Sequence, residues 1–501
     1  MCGIWFSDKH IDDVVTAHNY RGPDKSTTVH AFDCTFVFDR LAINGLGEDG
    51  DQPFVTDDSV VMCNGEIYNH KELRDVVITA PSGTSDCAII TRLLAEFQDI
   101  PEAFALLDGV FSVVAHVGGR MIVARDPVGV RPLFFATGTD GGNFVSSEMK
   151  SLLPYCDHIL DFPPGCVMVD GCITYFYGDS IPCSIDTTNT MLVAAVRKRL
   201  MSDREVGYFL SGGLDSSLIS AIGAKYTDGP IKTFSIGIGD SPDLKYAKIV
   251  SDYIGSDHTE IRFTAEEGIA AIKDVIWALE SYDCTTVRAA VPMYLMSKYV
   301  RENTDIKVIL SGEGADELFG GYLYFHYAPS HDDFQAETVR LLGSVNMHDI
   351  RRADRCTSAH GLELRVPFFD QALIKYVQNI NPRMKIPSDV MEKRILRQAF
   401  DGWIPTEVLW RQKNGMSDAV GYSWVDTIRT HCETVDTPDV EYVNNPPISK
   451  EEAYYRAIYH SMFGEHDTLS SVWRPKWTTQ TDPSAARLDI FNRTPTSAQA
   501  S

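Results

Sequence analysis

Two features common in chains of this length are missing from these 501 residues: an apolar run long enough to cross a bilayer, and cysteines paired at metal-binding spacing. No run approaches the ~18 residues that a spanning helix needs, and the first residues hold no basic segment followed by a hydrophobic one. A cytoplasmic protein with no membrane partner is expected. The eleven cysteines show no C-x-x-C pair, so neither a zinc site nor a dithiol redox site is expected. Apart from Cys2, they read as reduced small hydrophobes. Positive charge is also scarce, with 45 Lys and Arg against 69 Asp and Glu for a net charge of −24. That balance argues against a phosphate-backbone partner, and no nucleic acid is expected. Internal repeats and long biased tracts are absent; only the end of the chain, rich in Thr, Ser and Ala, reads as a flexible tail over 486–501.

The chain is too long for one ordinary core and divides in composition near residues 178 to 188, where Gly178-Asp179-Ser180-Ile181-Pro182 and Asp186-Thr187-Thr188-Asn189 are polar and turn-rich. Domains are therefore expected over 2–178 and 189–485, with 179–188 as linker. The first holds short runs of β-branched and aromatic residues (Thr35 to Phe38, Ser59 to Met62, Val110 to His116, Met121 to Ala124) and is predicted to be sheet-rich. In the second, strand-like runs such as Val206 to Leu210, Thr233 to Ile238 and Lys307 to Leu310 alternate with helical periodicity at Ser216 to Lys225 and Leu244 to Ile254. That alternation predicts a parallel sheet with helices on both faces.

Cys2 follows the initiator methionine directly. Removal of Met1 would leave a thiol and a free α-amine on one residue, a nucleophile with its own base, because an α-amine titrates near ~8. A thiolate attacking a primary amide needs donors for the tetrahedral oxyanion. Asn64-Gly65-Glu66-Ile67-Tyr68-Asn69, expected just after a strand, offers an amide side chain and a glycine N–H. A zwitterionic amino acid needs a guanidinium for its carboxylate and an acid for its ammonium, and Arg40 and Asp86 are candidates. Each is weak alone, since an Asn-Gly pair is most often a hairpin turn.

Taken together with Arg21-Gly22-Pro23-Asp24, Arg125-Asp126-Pro127-Val128-Gly129 and Ser147-Glu148-Met149-Lys150, these pieces resemble the N-terminal-nucleophile glutaminase domain of class II glutamine amidotransferases. The resemblance implies a four-layer αββα domain with Cys2 as nucleophile. Asn64 and Gly65 would form the oxyanion hole, and Arg40, Leu41, Ile43, Glu66 and Asp86 would line the glutamine pocket. The stretch from Gly3 to Arg21 is shorter than the family's usual form, which bears on how that pocket is covered.

In the second half, Ser211-Gly212-Gly213-Leu214-Asp215-Ser216-Ser217 follows a strand and opens a helix. Small residues there let backbone N–H groups and the helix N-terminus cradle a polyphosphate. The Lys of a Walker A loop is missing, and the run instead resembles the pyrophosphate-binding loop of ATP pyrophosphatases. After another strand comes Ser311-Gly312-Glu313-Gly314-Ala315-Asp316-Glu317-Leu318-Phe319-Gly320-Gly321-Tyr322, whose three acids would repel one another unless Mg²⁺ or developing positive charge offsets them.

With Ser241-Pro242-Asp243-Leu244, Thr286-Val287-Arg288-Ala289, Arg365-Val366-Pro367-Phe368-Phe369-Asp370, Arg411-Gln412-Lys413, Asp418-Ala419-Val420-Gly421-Tyr422-Ser423-Trp424 and Thr481-Asp482-Pro483-Ser484, the two loops resemble the glutamine-hydrolysing asparagine synthetase family. That resemblance implies a doubly wound α/β domain using glutamine, aspartate and ATP with Mg²⁺, and it allows a homodimer. Leu210, Ser211, Gly212, Gly213, Asp215, Ser216, Ile236, Ser311, Gly312 and Lys413 would hold the nucleotide, and Asp215 and Asp316 the metal. Glu313 would take a proton from attacking ammonia, and Arg288 would meet the aspartate end. Leu364, Phe369 and Asn414-Gly415-Met416 are small departures near the acyl pocket. His258 and His360 lie outside both loops and read as structural. Competing readings are an amidotransferase for another carboxylate, a lactam-forming relative, and a nucleotide-binding regulator with inactive loops. An intact Cys2, Asp215, Glu313 and Asp316 disfavour the last.

Overall fold

The computed structural model describes residues 1–79, 85–139, 141–176, 187–387, 391–412, 420–421, 424–438, 440–466, 470–479 and 488. Most of the expected linker, nearly all of the expected tail, and Lys413, Asn414-Gly415-Met416, Asp418, Ala419, Tyr422, Ser423 and Thr481-Asp482-Pro483-Ser484 lie outside the described residues. Among those described, no helix is long and apolar enough to cross a membrane.

The first 176 residues build two six-stranded antiparallel sheets. In the first, Gly3–Ser7 lies between Cys34–Arg40 and Asn143–Ser146; in the second, Gly109–Val117 lies between Ser59–Ile67 and Arg120–Arg125. The strands alternate as a pleat requires. Ile4 and Phe6 point inward with Phe36 and Phe38 against Val60, Met62, Val114 and Val123 of the second sheet, joining the sheets in one apolar cluster. The helices Ile89–Glu96 and Ile100–Ala105 cover the other face of the second sheet through Leu93, Leu94, Ala103 and Phe104. Trp5, Val37 and Phe144 point the other way and join a cluster that runs into the second half of the chain through Ile272, Val275 and Ile276.

The second half holds a five-stranded sheet, all parallel, in the spatial order Asp257–Arg262, Lys232–Gly237, Val206–Phe209, Val308–Leu310, Glu363–Arg365. Strand order runs outward in one direction from Val206–Phe209 and then restarts on its other side. The two strands at that reversal are neighbours, with Tyr208 opposite Leu310. The loops leaving their carboxyl ends therefore start side by side at a topological switch point, where ligands of open α/β sheets bind.

Of the histidines expected to be structural, His258 bonds Thr233 and Ser235 hydroxyls through its two ring nitrogens at 2.9 and 3.0 Å. His360 packs edge-on against Tyr294. Among the described cysteines eight are buried, Cys172 is exposed, and none is bridged.

Candidate active sites at two ends of a buried interface

Pairing of Gly3 with Asp39 sets Cys2 next to Leu41 at the end of its sheet. The Leu41 N–H donates to Cys2 Sγ at 3.5 Å, and the Cys2 N–H donates to Asn64 Oδ1 at 3.0 Å. Asn64-Gly65-Glu66 does not follow a strand, as the sequence pattern suggested, but lies inside Ser59–Ile67. The nine-residue strand continues because glycine lets its neighbour come close: a Cβ on Gly65 would sit 2.2 Å from the Val110 carbonyl oxygen. Asn64 Nδ2 is buried and has no hydrogen-bond partner among the described residues. An unmade buried donor costs about 1–3 kcal/mol, and a nearby oxyanion would offset that cost.

Burial pushes the Cys2 thiol up to about 11, and burial likewise lowers the Met1 amine to about 6 although Glu363 lies 4.0 Å away. With Met1 in place the thiol is protonated at neutral pH, and its own nitrogen is an amide. The other candidates surround this point with mixed commitments. Arg40 donates to the Gly45 and Gly47 carbonyls and to Asp51, so a ligand carboxylate would have to share it. Asp86 accepts from the Ile67 N–H at 2.7 Å. Ile43 is buried beside Leu41.

At the switch point, Ser211, Gly213, Asp215, Ser216, Ser311 and Gly312 line one cleft, with Leu210, Phe234, Ile236 and Val420 as its apolar wall. Gly212 turns the first loop at φ +69°, and a Cβ there would lie 2.3 Å from the Ala247 nitrogen. Ser216 Oγ accepts from the Ser211 N–H at 3.2 Å and so holds the loop over the start of the helix Leu214–Tyr226. Glu313 and Asp316 of the second loop, and Asp215 of the first, are compensated by groups that no motif revealed. Lys393 Nζ is 2.6 Å from both Asp215 and Asp316, and Arg352 bonds Glu313 and Asp349. Arg411 bonds the Gly212 carbonyl at 3.2 Å and Asp243 at 3.3 Å. Lys393 and Arg352 come from distant parts of the chain, and only the fold brings them here.

Two oxygen-donating carboxylates converging on one cation position suit Mg²⁺, which usually shares one or two carboxylates with substrate phosphates. Of the described candidates for this site, neither Gly212 nor Arg288 lines the cleft, and the Arg288 guanidinium forms a buried two-pronged pair with Glu451 at 2.6 and 2.7 Å. The helix Cys284–Asn303 turns Thr286 and Ala289 toward the cleft and Arg288 away from it.

Between the two places lies a buried, charged layer. Arg21 bonds Glu148 at 2.7 Å and Asp354 at 3.0 Å, Arg131 faces Glu363 at 3.4 Å, and Arg365 bonds Glu363 at 2.8 Å and lies 3.2 Å from Glu66. Glu66 is pushed well above the carboxylate range by burial, with Asp86 and Glu363 adding to the rise and Arg365 opposing it. Burial acts against the charge of Glu148 too, but Arg355, Lys150 and Arg21 hold it below its usual range. Removing one partner from a buried pair costs about 3–5 kcal/mol. Arg365→Leu, which leaves Glu66 and Glu363 facing each other, is therefore expected to lower unfolding free energy by about that amount in a denaturant titration.

A family model described as asparagine synthase matches residues 187–340 and 327–490, and one described as a glutamine amidotransferase domain matches 1–167. The chain belongs to the asparagine synthase family. A curated relative from Sandersonia aurantiaca, named asparagine synthetase [glutamine-hydrolyzing], is 40% identical over 495 residues, covering 91% of this chain and 93% of the relative. One of the same name from Cricetulus griseus is 39% identical over 560 residues, covering 98% and 99%. Family membership thus spans both ends of the interface.

Proposed function

We propose that this protein is a glutamine-dependent asparagine synthetase, with residues 2–178 as a four-layer αββα glutaminase and 189–485 as a doubly wound ATP-pyrophosphatase domain. Removal of Met1 converts the Cys2 amide nitrogen into an α-amine that takes the thiol proton. The thiolate attacks the side-chain amide of glutamine, and Asn64 Nδ2 and the Gly65 N–H receive the oxyanion. Arg40, Leu41, Ile43, Glu66 and Asp86 hold the substrate. Collapse of the tetrahedral adduct breaks its C–N bond as the α-ammonium of Cys2 gives its proton to the departing nitrogen, releasing NH₃ and leaving a thioester, which water hydrolyses.

In the other half, a β-carboxylate oxygen of aspartate attacks the α-phosphorus of ATP and pyrophosphate leaves. Leu210 and Ile236 contact the nucleotide, while Ser211, Gly212, Gly213, Ser216, Ser311 and Gly312 bind its phosphates. Asp215 and Asp316 would hold Mg²⁺, which offsets phosphate charge when bound. Ammonia then attacks the acyl carbon, AMP departs, and Glu313, aimed by Arg352, accepts the proton. Ammonium has no lone pair for this attack, so a sheltered passage of NH₃ between the halves is part of the proposal.

The observation that carries this reading is the unpaired Asn64 amide donor beside Cys2, in a molecule whose switch-point cleft holds the two acidic loops. The test is incubation with ATP, Mg²⁺, glutamine and a panel of carboxylic acids. AMP and amide should appear one-to-one with aspartate. Amide formed only from another acid would overturn the choice of substrate.

A further inference from the structure

With Arg288 committed to Glu451, recognition of the acyl substrate falls to other groups on the cleft wall. The end of the cleft near Glu313 is rich in acid: Asp283, Glu317 and Asp349 line it together with Tyr322, His348 and Arg352. His348 stands among them, only 7% exposed. Its Nε2 lies 2.9 Å from the Ser471 hydroxyl, whereas Nδ1 is buried and makes no hydrogen bond among the described residues. The nearest acid to Nδ1 is Asp283 Oδ2 at 3.9 Å, too far for a direct bond. Two acceptors at that separation can both receive hydrogen bonds of about 2.8 Å from one small cation between them.

We propose that His348 Nδ1 and the Asp283 carboxylate together bind the α-ammonium group of the acyl substrate, and so select an amino dicarboxylic acid over a plain one. The proposal rests on the synthetase reading above and names the specificity site within it.

Burial holds the imidazole below its ordinary pKa, with Asp283 and Asp349 pulling the other way, so the ring is neutral at pH 7. In the tautomer that donates from Nε2 to Ser471, Nδ1 presents a lone pair. Asp283 is held in place, since its Oδ1 accepts from the Trp473 N–H at 2.7 Å and its Oδ2 from the Thr286 N–H at 2.9 Å and the Thr286 hydroxyl at 2.7 Å. Asp349, adjacent in sequence to His348, is tied through Arg352, one helical turn on, to Glu313, which links the ammonium position to the place of acyl chemistry. Burial pushes Glu317 well above the carboxylate range, but Asp283, Asp349 and Glu313 against Arg352 still leave this end negative, and of the three charged groups on aspartate only the ammonium suits it.

The test compares His348→Phe with the wild type in ATP-dependent AMP formation driven by ammonium salts, using aspartate and succinate, which differ by the ammonium group. The variant is expected to raise KM for aspartate about tenfold, the loss of one hydrogen bond to a charged group. KM for ATP and the glutaminase rate should stay unchanged, and the preference for aspartate over succinate should fall by the same factor. His348→Gln, which restores an acceptor, should recover part of it. An unchanged preference in His348→Phe would overturn the proposal while leaving the synthetase reading intact. Failure of the wild type to activate aspartate would overturn both.

Discussion

Cys2→Ala is expected to lose glutamine-dependent asparagine formation by at least about 10³-fold while keeping synthesis from ammonium salts. The separation follows from distance and chemistry. Sγ, the proposed nucleophile, lies at one end of the charged interface, and its hydrogen bonds go to the Leu41 backbone, which does not line the switch-point cleft. Alanine removes the sulfur and preserves the strand Gly3–Ser7, so fold and nucleotide binding should survive. Measuring AMP release with glutamine and with ammonium in one preparation reads both halves at once. Loss of both activities would mean that the two halves are not chemically separable.

Lys393→Met should produce the opposite pattern. It keeps side-chain length but removes the cation placed 2.6 Å from Asp215 and from Asp316. Without it, two carboxylates face incoming phosphates with only the proposed Mg²⁺ to offset them, and the loss expected for a preorganised electrostatic partner is about 10²–10³ in kcat. AMP formation from ATP and aspartate should fall by that factor with either nitrogen source, while glutamine hydrolysis continues and reports an intact fold. AMP formation at the wild-type rate would contradict the role given to this cluster.

Much of this arrangement was legible in the sequence, and the exceptions share a cause. The strands Ser59–Ile67 and Val206–Phe209 and the helix Leu214–Tyr226 follow from local patterns of β-branched and apolar residues, and the glycine loops mark themselves by composition. Extension of the first strand through Asn64-Gly65 was not legible, because Gly65 reads locally as a turn and only the Val110 backbone across the sheet explains it. Lys393 and Arg352 were invisible for a related reason: a lone Lys or Arg has no periodicity, and its partners lie far away in the chain. Arg288 was nominated by resemblance alone, and its pairing with Glu451 was not legible either. Its neighbour Ala289 faces the cleft, and one residue along a helix turns the side chain by about 100°. His348 carries no motif at all, and its meaning arises only from the unused ring nitrogen beside Asp283.

The central claim is that the trimmed amino end is the nucleophile. It is tested most directly by comparing glutamine hydrolysis in preparations with and without aminopeptidase trimming, each scored by intact mass. Chains lacking Met1 should hydrolyse glutamine, and chains retaining it, with a protonated thiol and an amide in place of the amine, should be inactive toward glutamine yet active with ammonium. Full glutamine hydrolysis by chains that keep Met1 would contradict the account.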